Sequence, residues 1–337
     1  MKRVTTPSKS LPASEIQQKI EIIPDKVYFL VIRLPPKSSS DEFCFSVDAN
    51  QEFQYLPFFY DFGPPSLLQI HKFYHLVVSL MKSHSTKKIV YMTSSHASHL
   101  SNGVLFITSF RMLFLKLSAD EAYSPCNFLS NSLKPYRDAS TLPCTYDLTV
   151  LSCLKGLQKA MELGWYNLET FNQEEWEKYE QVENGDMNWL IPGKLMAFAT
   201  PYNTNILNGG WRVATPKDVL PIFKKYKINH VIRLCQKFYN EEVFKQGGLK
   251  HSELYFLDGT TPPMTIREKF LKIIESDDVV ALHCKAGLGR TFVLSIIISF
   301  FIHSFVYNFI HFALIHLYFI CLWGVSHSLN NSFCPQL

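Results

Sequence analysis

Apolar positions fall into two alternating textures along this chain. "VYFLVIRL" (27–34), "CFSVD" (44–48) and "KKIVYM" (87–92) are short and rich in β-branched and aromatic residues, and predict strands. "DFGPPSLLQIHKFYHLVVSLM" (61–81) starts after a proline pair and repeats its apolar positions at helical spacing, so it predicts a helix. After "KKIVYM" come a polar loop, "TSSHASHLSNG" (93–103), and an apolar helix, "VLFITSFRMLFLKL" (104–117), which together make a strand, loop, helix unit.

The second half repeats this grammar. "LMAFA" (195–199), "HVIRL" (230–234), "SELYFL" (252–257) and "DVVALHC" (278–284) read as strands. "TPKDVLPIFKKYK" (215–227) reads as a helix with Thr215 as cap and Pro216 in its first turn, and Thr265 and Glu268 are spaced as a capping box for "IREKFLKIIES". Strands alternating with helices imply α/β domains, each a mainly parallel twisted sheet flanked by helices. Two such halves imply a duplicated architecture.

Composition narrows the function classes. The chain has 337 residues, 47% of them hydrophobic, enough for two cores. A formal charge of +4 without a Lys/Arg stripe gives no reason to expect a nucleic-acid partner. Eight scattered cysteines (44, 126, 144, 153, 235, 284, 321, 334) form no C-x-x-C pair, which argues against zinc and against a secreted disulfide framework. Residues 1–24 are basic and Ser/Pro-rich without the apolar run of a signal peptide, and are expected to be a disordered tail. Between the halves, residues 161–186 carry eight carboxylates against the single cation Lys178 and read as an acidic linker helix, either a plain solvated surface or a wall that attracts basic peptides.

The chemistry concentrates in "HCKAGLGRT" (283–291). A strand ending at His283 delivers Cys284 to the carboxyl edge of a parallel sheet, where α/β proteins place ligands. Backbone N–H groups of Lys285, Ala286, Gly287, Leu288, Gly289 and Arg290, with the start of the following helix, make an anion cradle that favours negative charge on the Cys284 sulfur. Arg290 has the planar fork that holds two phosphate oxygens together. Phosphoryl transfer to sulfur follows, with reversible oxidation of Cys284 as a corollary. A leaving alcohol needs a proton donor: Asp277 and Asp278 start the same strand at the wrong edge, whereas Asp258, after "SELYFL", emerges at the edge of Cys284.

These residues resemble the cell division cycle fourteen family of dual-specificity protein phosphatases. "HCKAGLGRT" is that family's form of the phosphatase signature, and "DFGP" (61–64), "PYRDA" (135–139), "ENGDMNWLIP" (183–192), "VIRL" (231–234) and "DGTTP" (258–262) follow in the family's order. The resemblance covers about residues 25–291. It implies tandem phosphatase-like domains: a non-catalytic one at 25–160, the linker at 161–186 and a catalytic one at 187–291. It makes Cys284 the nucleophile, Arg290 the phosphate clamp, Asp258 the general acid, and His283 and Thr291 supporting residues, with no metal or cofactor.

It further implies protein substrates phosphorylated on Ser or Thr before Pro with basic residues nearby, as cyclin-dependent kinases leave them, and phosphotyrosine. Glu177 and Glu180 match linker glutamates of the family's substrate groove, while His96 stands where the family places an Asp. The expected compartments are nucleus and cytoplasm, including nucleolus, spindle pole or centrosome, with roles in mitotic exit and cytokinesis.

All 33 basic and 29 acidic side chains precede Phe292, and residues 292–337 are an apolar tail without counterpart in the family, whose text continues with Gly-Thr and a late Gln-bearing loop that positions water. The expected reading is truncation or mis-splicing after Thr291. A membrane anchor and a divergent core helix with a native tail are the alternatives. The corresponding functional alternatives to an active phosphatase are a phosphopeptide-binding product and a non-functional fragment.

Overall fold

The computed structural model describes residues 19–32, 39–57, 59–138, 144, 147–291 and 293–295. The chain divides between Leu168 and Glu169 into two compact units.

In the first unit, β1 (Ile20–Ile23) and β2 (Val27–Ile32) form an antiparallel pair, followed by β3 (Glu42–Phe45), α1 (Leu67–Ser83), β4 (Lys88–Ser94), α2 (Ala97–Leu115), α3 (Ala119–Tyr123) and α4 (Val150–Glu162). The sheet order is β1-β2-β4-β3, with β4 parallel to both neighbours. Strand β1 corrects the expectation of a tail through residue 24: Ile20, Ile22 and Ile23 are buried, and that burial stabilises the pairing with β2. Residues 1–18 lie outside the described residues.

Helix α1 starts where the proline pair predicts, capped reciprocally by Ser66 and Gln69. Helix α2 starts earlier than expected, at Ala97 inside the polar stretch 93–103. Within it the Ser101 hydroxyl is satisfied internally, bonding to the carbonyls of Ala97 (3.1 Å) and Lys134 (2.9 Å), and Ser101 and Gly103 are buried.

The second unit contains α5 (Gln173–Tyr179), β5 (Met187–Ile191), β6 (Leu195–Phe198), α6 (Pro216–Lys225), β7 (His230–Arg233), α7 (Glu242–Gln246), β8 (Lys250–Glu253), α8 (Met264–Ile274) and β9 (Val280–His283). Its sheet order is β5-β6-β9-β7-β8; β5 is antiparallel and the rest are parallel. Every residue of β6, β7 and β9 is buried, as a sheet covered on both faces requires. Phe198, Phe223, Tyr239 and Phe244 pack in that core. Both sheets place the strand that feeds the loop and helix of interest, β4 or β9, beside the hairpin's inner strand.

Three local expectations need correction. Of the acidic stretch 161–186, Gln173–Tyr179 forms α5, and residues 163–172 between α4 and α5 are not helical. Strand β8 ends at Glu253 rather than Leu257. Helix α8 begins one residue before Thr265, with Pro263 at the capping position and no side-chain cap, because the proline ring carries no hydrogen-bonding group. The Thr215 expectation holds: the Asp218 carboxylate accepts from the Thr215 backbone N–H (2.8 Å) and hydroxyl (2.6 Å).

Candidate active site

Parallel pairing brings the carboxyl ends of β6, β7, β8 and β9 to one edge. Four segments leave there: Thr200 beyond β6, Leu234 and Cys235 beyond β7, Phe256 to Asp258 beyond β8, and Cys284 beyond β9. Cys284 is 4% exposed. The loop turns through Gly287, whose φ of +72° is the left-handed conformation that glycine adopts without strain, and becomes helical at residue 289.

The Lys285 carbonyl accepts from the Thr200 N–H (3.0 Å), tying the start of the loop to the β6 side. The N–H groups of Ala286, Gly287 and Leu288 donate to no protein acceptor among the described residues. Arg290 is buried, and its Nε also makes no hydrogen bond there. Its Nη1 donates to the Phe256 carbonyl (3.4 Å), and its Nη2 lies 3.3 Å from Asp258 Oδ2. Buried donors are nearly always paired in folded proteins, so the unpaired Nε of buried Arg290, together with the unpaired loop amides, is suited to an oxyanion.

Asp258 is two-thirds exposed on a turn in which Gly259 has φ +68° and donates its N–H to Asp258 Oδ1 (3.2 Å). The turn is an Asp-Gly turn and also carries a carboxylate over the loop: a Cβ built on Gly289 would lie 3.9 Å from Asp258 Oδ1. Asp278, at the amino edge, is instead paired with His230 (2.9 Å) and Lys250 (2.8 Å).

His283 is fully buried and positions the loop. Its Nδ1 donates to the Cys284 carbonyl (2.9 Å), so its Nε2 accepts from the Tyr239 hydroxyl (2.8 Å), whose oxygen accepts from His251 Nε2 (2.8 Å). Burial holds the His283 imidazole neutral, lowering its pKa from the usual 6.5 to about 3, and lowers that of His251 to about 4. Arg233, 2% exposed, grips both carboxylate oxygens of Glu253, donates to the Tyr239 carbonyl (3.1 Å) and lies 4.6 Å from the centre of the Tyr239 ring. Tyr239, His251, Arg233 and Glu253 form a support that local sequence pattern did not reveal; the one available signal was the polar residues at Arg233 and His251 inside strands.

Thr291 is fully buried, and its backbone carbonyl accepts from Ser295 Oγ (2.8 Å) in helical residues 293–295. Phe292 and residues 296–337, on which the expectations about the tail fall, lie outside the described residues. Among the described residues no helix is long and apolar enough to cross a membrane. Glu177 stands within α5 and Glu180 at its end; α5 packs against β5, two strands from β9.

The corresponding loop of the first unit, between β4 and α2, has neither cysteine nor arginine, and His96 sits at the start of α2. At the end of β4 the Asp48 carboxylate accepts from the Ser94 N–H (2.7 Å) and the Thr93 hydroxyl (2.9 Å), with His99 Nδ1 at 3.5 Å.

Fold and site define a class: tandem dual-specificity-phosphatase-like α/β domains, the second with the cysteine and arginine of a phosphate loop. Residues 21–160 match the family model described as dual specificity protein phosphatase, N-terminal half, and residues 208–304 match that described as polymorphic toxin system, DSP-PTPase phosphatase. The chain is 41% identical over 275 residues to the dual specificity protein phosphatase CDC14AB of Danio rerio, covering 80% of this chain and 45% of that one. It is 39% identical over 285 residues to CDC14A of Homo sapiens (83% and 47%) and 31% identical over 290 residues to the tyrosine-protein phosphatase CDC14 homolog of Schizosaccharomyces pombe (81% and 53%). The chain is a homologue of the CDC14 family of dual-specificity protein phosphatases, and it spans about half the length of the curated relatives it matches.

Proposed function

We propose that the second unit is a protein phosphatase domain working through a cysteinyl phosphate. The Cys284 sulfur attacks phosphorus while the loop amides and Arg290 hold the equatorial oxygens. Asp258 gives its proton to the departing oxygen, then takes one from the water that cleaves the sulfur–phosphorus bond. The observation that carries this reading is the Asp258 carboxylate 3.3 Å from Arg290 Nη2, with the buried Nε of the same guanidinium unpaired.

The substrate class is phosphoserine or phosphothreonine before proline with nearby basic residues, together with phosphotyrosine, in cell-cycle proteins of nucleus and cytoplasm. Homology and the carboxylates around Glu177 and Glu180 support it. A second reading, capture of phosphopeptides without turnover, is favoured by the apolar sequence after Thr291, which carries no Lys, Arg, Asp or Glu. Phosphate release from a phosphoserine-Pro-x-Lys peptide, against Cys284→Ser as blank, tests the proposal. Catalytic turnover supports the first reading; release equal to the blank by a chain that still binds the phosphopeptide supports the second; release equal to the blank without binding defeats both.

A further inference from the structure

Cys235 stands beside the loop and has no part in the proposed hydrolysis. It follows β7, the neighbour of β9, in a register that pairs Arg233 with His283 and is extended by the Leu234 N–H to His283 carbonyl bond (2.9 Å). Cys284 and Cys235 are thus on adjacent strand ends, offset by one residue. With strands about 4.8 Å apart and a rise of about 3.3 Å per residue, their Cα atoms are roughly 6 Å apart, inside the span a disulfide bridges.

The Cys235 side chain turns toward the loop. Its Sγ lies 3.9 Å from Thr200 Oγ1, and Thr200 is the residue whose N–H holds the Lys285 carbonyl. Both thiols are free and nearly inaccessible, 3% exposed at Cys235 and 4% at Cys284. Burial raises the Cys235 thiol to about 11, with the Thr200 hydroxyl opposing and nearby Cys284 adding to the rise. Cys235 is therefore a protonated bystander at neutral pH, and the roles of the two sulfurs are distinct.

We propose that Cys235 is the resolving thiol for oxidation of Cys284, so that the loop carries a reversible 235–284 disulfide as a modification site. A hydroperoxide supplies the oxidising equivalents. Cys284 sulfur attacks the peroxide O–O bond, becoming a sulfenic acid and releasing water or alcohol; the Cys235 sulfur then attacks that sulfur, its proton leaves with the hydroxyl as water, and the S–S bond forms. A dithiol restores both thiols by exchange. The bond stops oxidation before the irreversible sulfinic and sulfonic acids. This inference rests on Cys284 being the reactive sulfur of the proposed function.

The test reads the bond itself, independently of hydrolysis. The full chain is treated with graded hydrogen peroxide, remaining thiols are blocked with N-ethylmaleimide, and unreduced proteolytic peptides are identified by mass. The expected product is a peptide containing Cys235 joined to one containing Cys284, returned to thiols by dithiothreitol. In Cys235→Ser and Cys235→Ala, each checked for folding by circular dichroism, Cys284 should go on to sulfinic and sulfonic acid, and dithiothreitol should not recover it. The proposal is overturned if Cys284 resists peroxide, if it joins a different cysteine, or if it recovers equally in the variants. A linked peptide from a chain that releases no phosphate would defeat the hydrolase reading and leave this one standing.

Discussion

Asp258 Oδ2 lies 3.3 Å from Arg290 Nη2 although the residues come from loops after different strands, β8 and β9. The pairing places a carboxylate at the mouth of the phosphate loop, and the proton-donor role proposed for it has a kinetic signature. Asp258→Asn keeps the turn but removes the proton. On a phosphoserine peptide, whose alkoxide leaves poorly, kcat should fall by about 100-fold or more; on p-nitrophenyl phosphate, whose leaving group needs little protonation, the loss should be several-fold. Equal losses on both substrates would remove Asp258 from the acid role.

Tyr239 bridges His283 and His251 through one hydroxyl. Tyr239→Phe leaves two buried imidazole nitrogens without their partner, so urea unfolding should show a loss of about 1–3 kcal/mol. Because His283 holds the Cys284 carbonyl, kcat should fall with KM little changed. A variant as stable as the parent would show the bridge to be dispensable.

The same histidines set a pH dependence. In the folded chain His283 and His251 stay neutral until about pH 3 and 4, whereas in the unfolded chain they take up protons near 6.5. Below 6.5 the unfolded state therefore binds more protons, and stability is fully present above that pH and lost as pH falls toward 4, by up to about 1.4 kcal/mol per pH unit for each histidine. The pKa of Glu241, lowered to about 2 chiefly by its bond to Lys237, acts in the same direction below about 4.5. Melting temperatures across pH 4–8 check this: a flat profile contradicts it, and His251→Asn should reduce the slope.

Asp278 is the contrast to Asp258. It is held at the amino edge by His230 and Lys250, away from the loop. Asp278→Asn should cost about 1–3 kcal/mol in urea unfolding by weakening this network, while kcat/KM of the folded protein changes less than about twofold. A large kinetic loss at unchanged stability would reverse the assignment of the two carboxylates.

The loop was legible because its residues are contiguous: strand β9, Cys284, the left-handed Gly287 and Arg290 follow one another, and parallel topology dictates the edge they reach. Asp258 was legible only through that topology, and even then the strand before it ends four residues earlier than its apolar run suggests. The Arg233–Glu253 pair, the Tyr239 bridge and the Asp48 carboxylate at the end of β4 were not, since each joins residues far apart in sequence by register rather than period. The hydroxyls of 93–103 misdirected the reading for a related reason: whether Ser101 faces water or a helix's own carbonyl depends on what packs around it.

The most direct test of the central claim is to trap the phosphorylated intermediate. A phosphoserine-Pro-x-Lys peptide is mixed with the full chain, the reaction is quenched in acid within milliseconds to seconds, and the peptide spanning residues 281–291 is examined by mass. The account predicts one phosphoryl group on Cys284, absent in Cys284→Ser. Folded chain that releases phosphate with Cys284 never modified, or that leaves both substrate and Cys284 untouched, would contradict it.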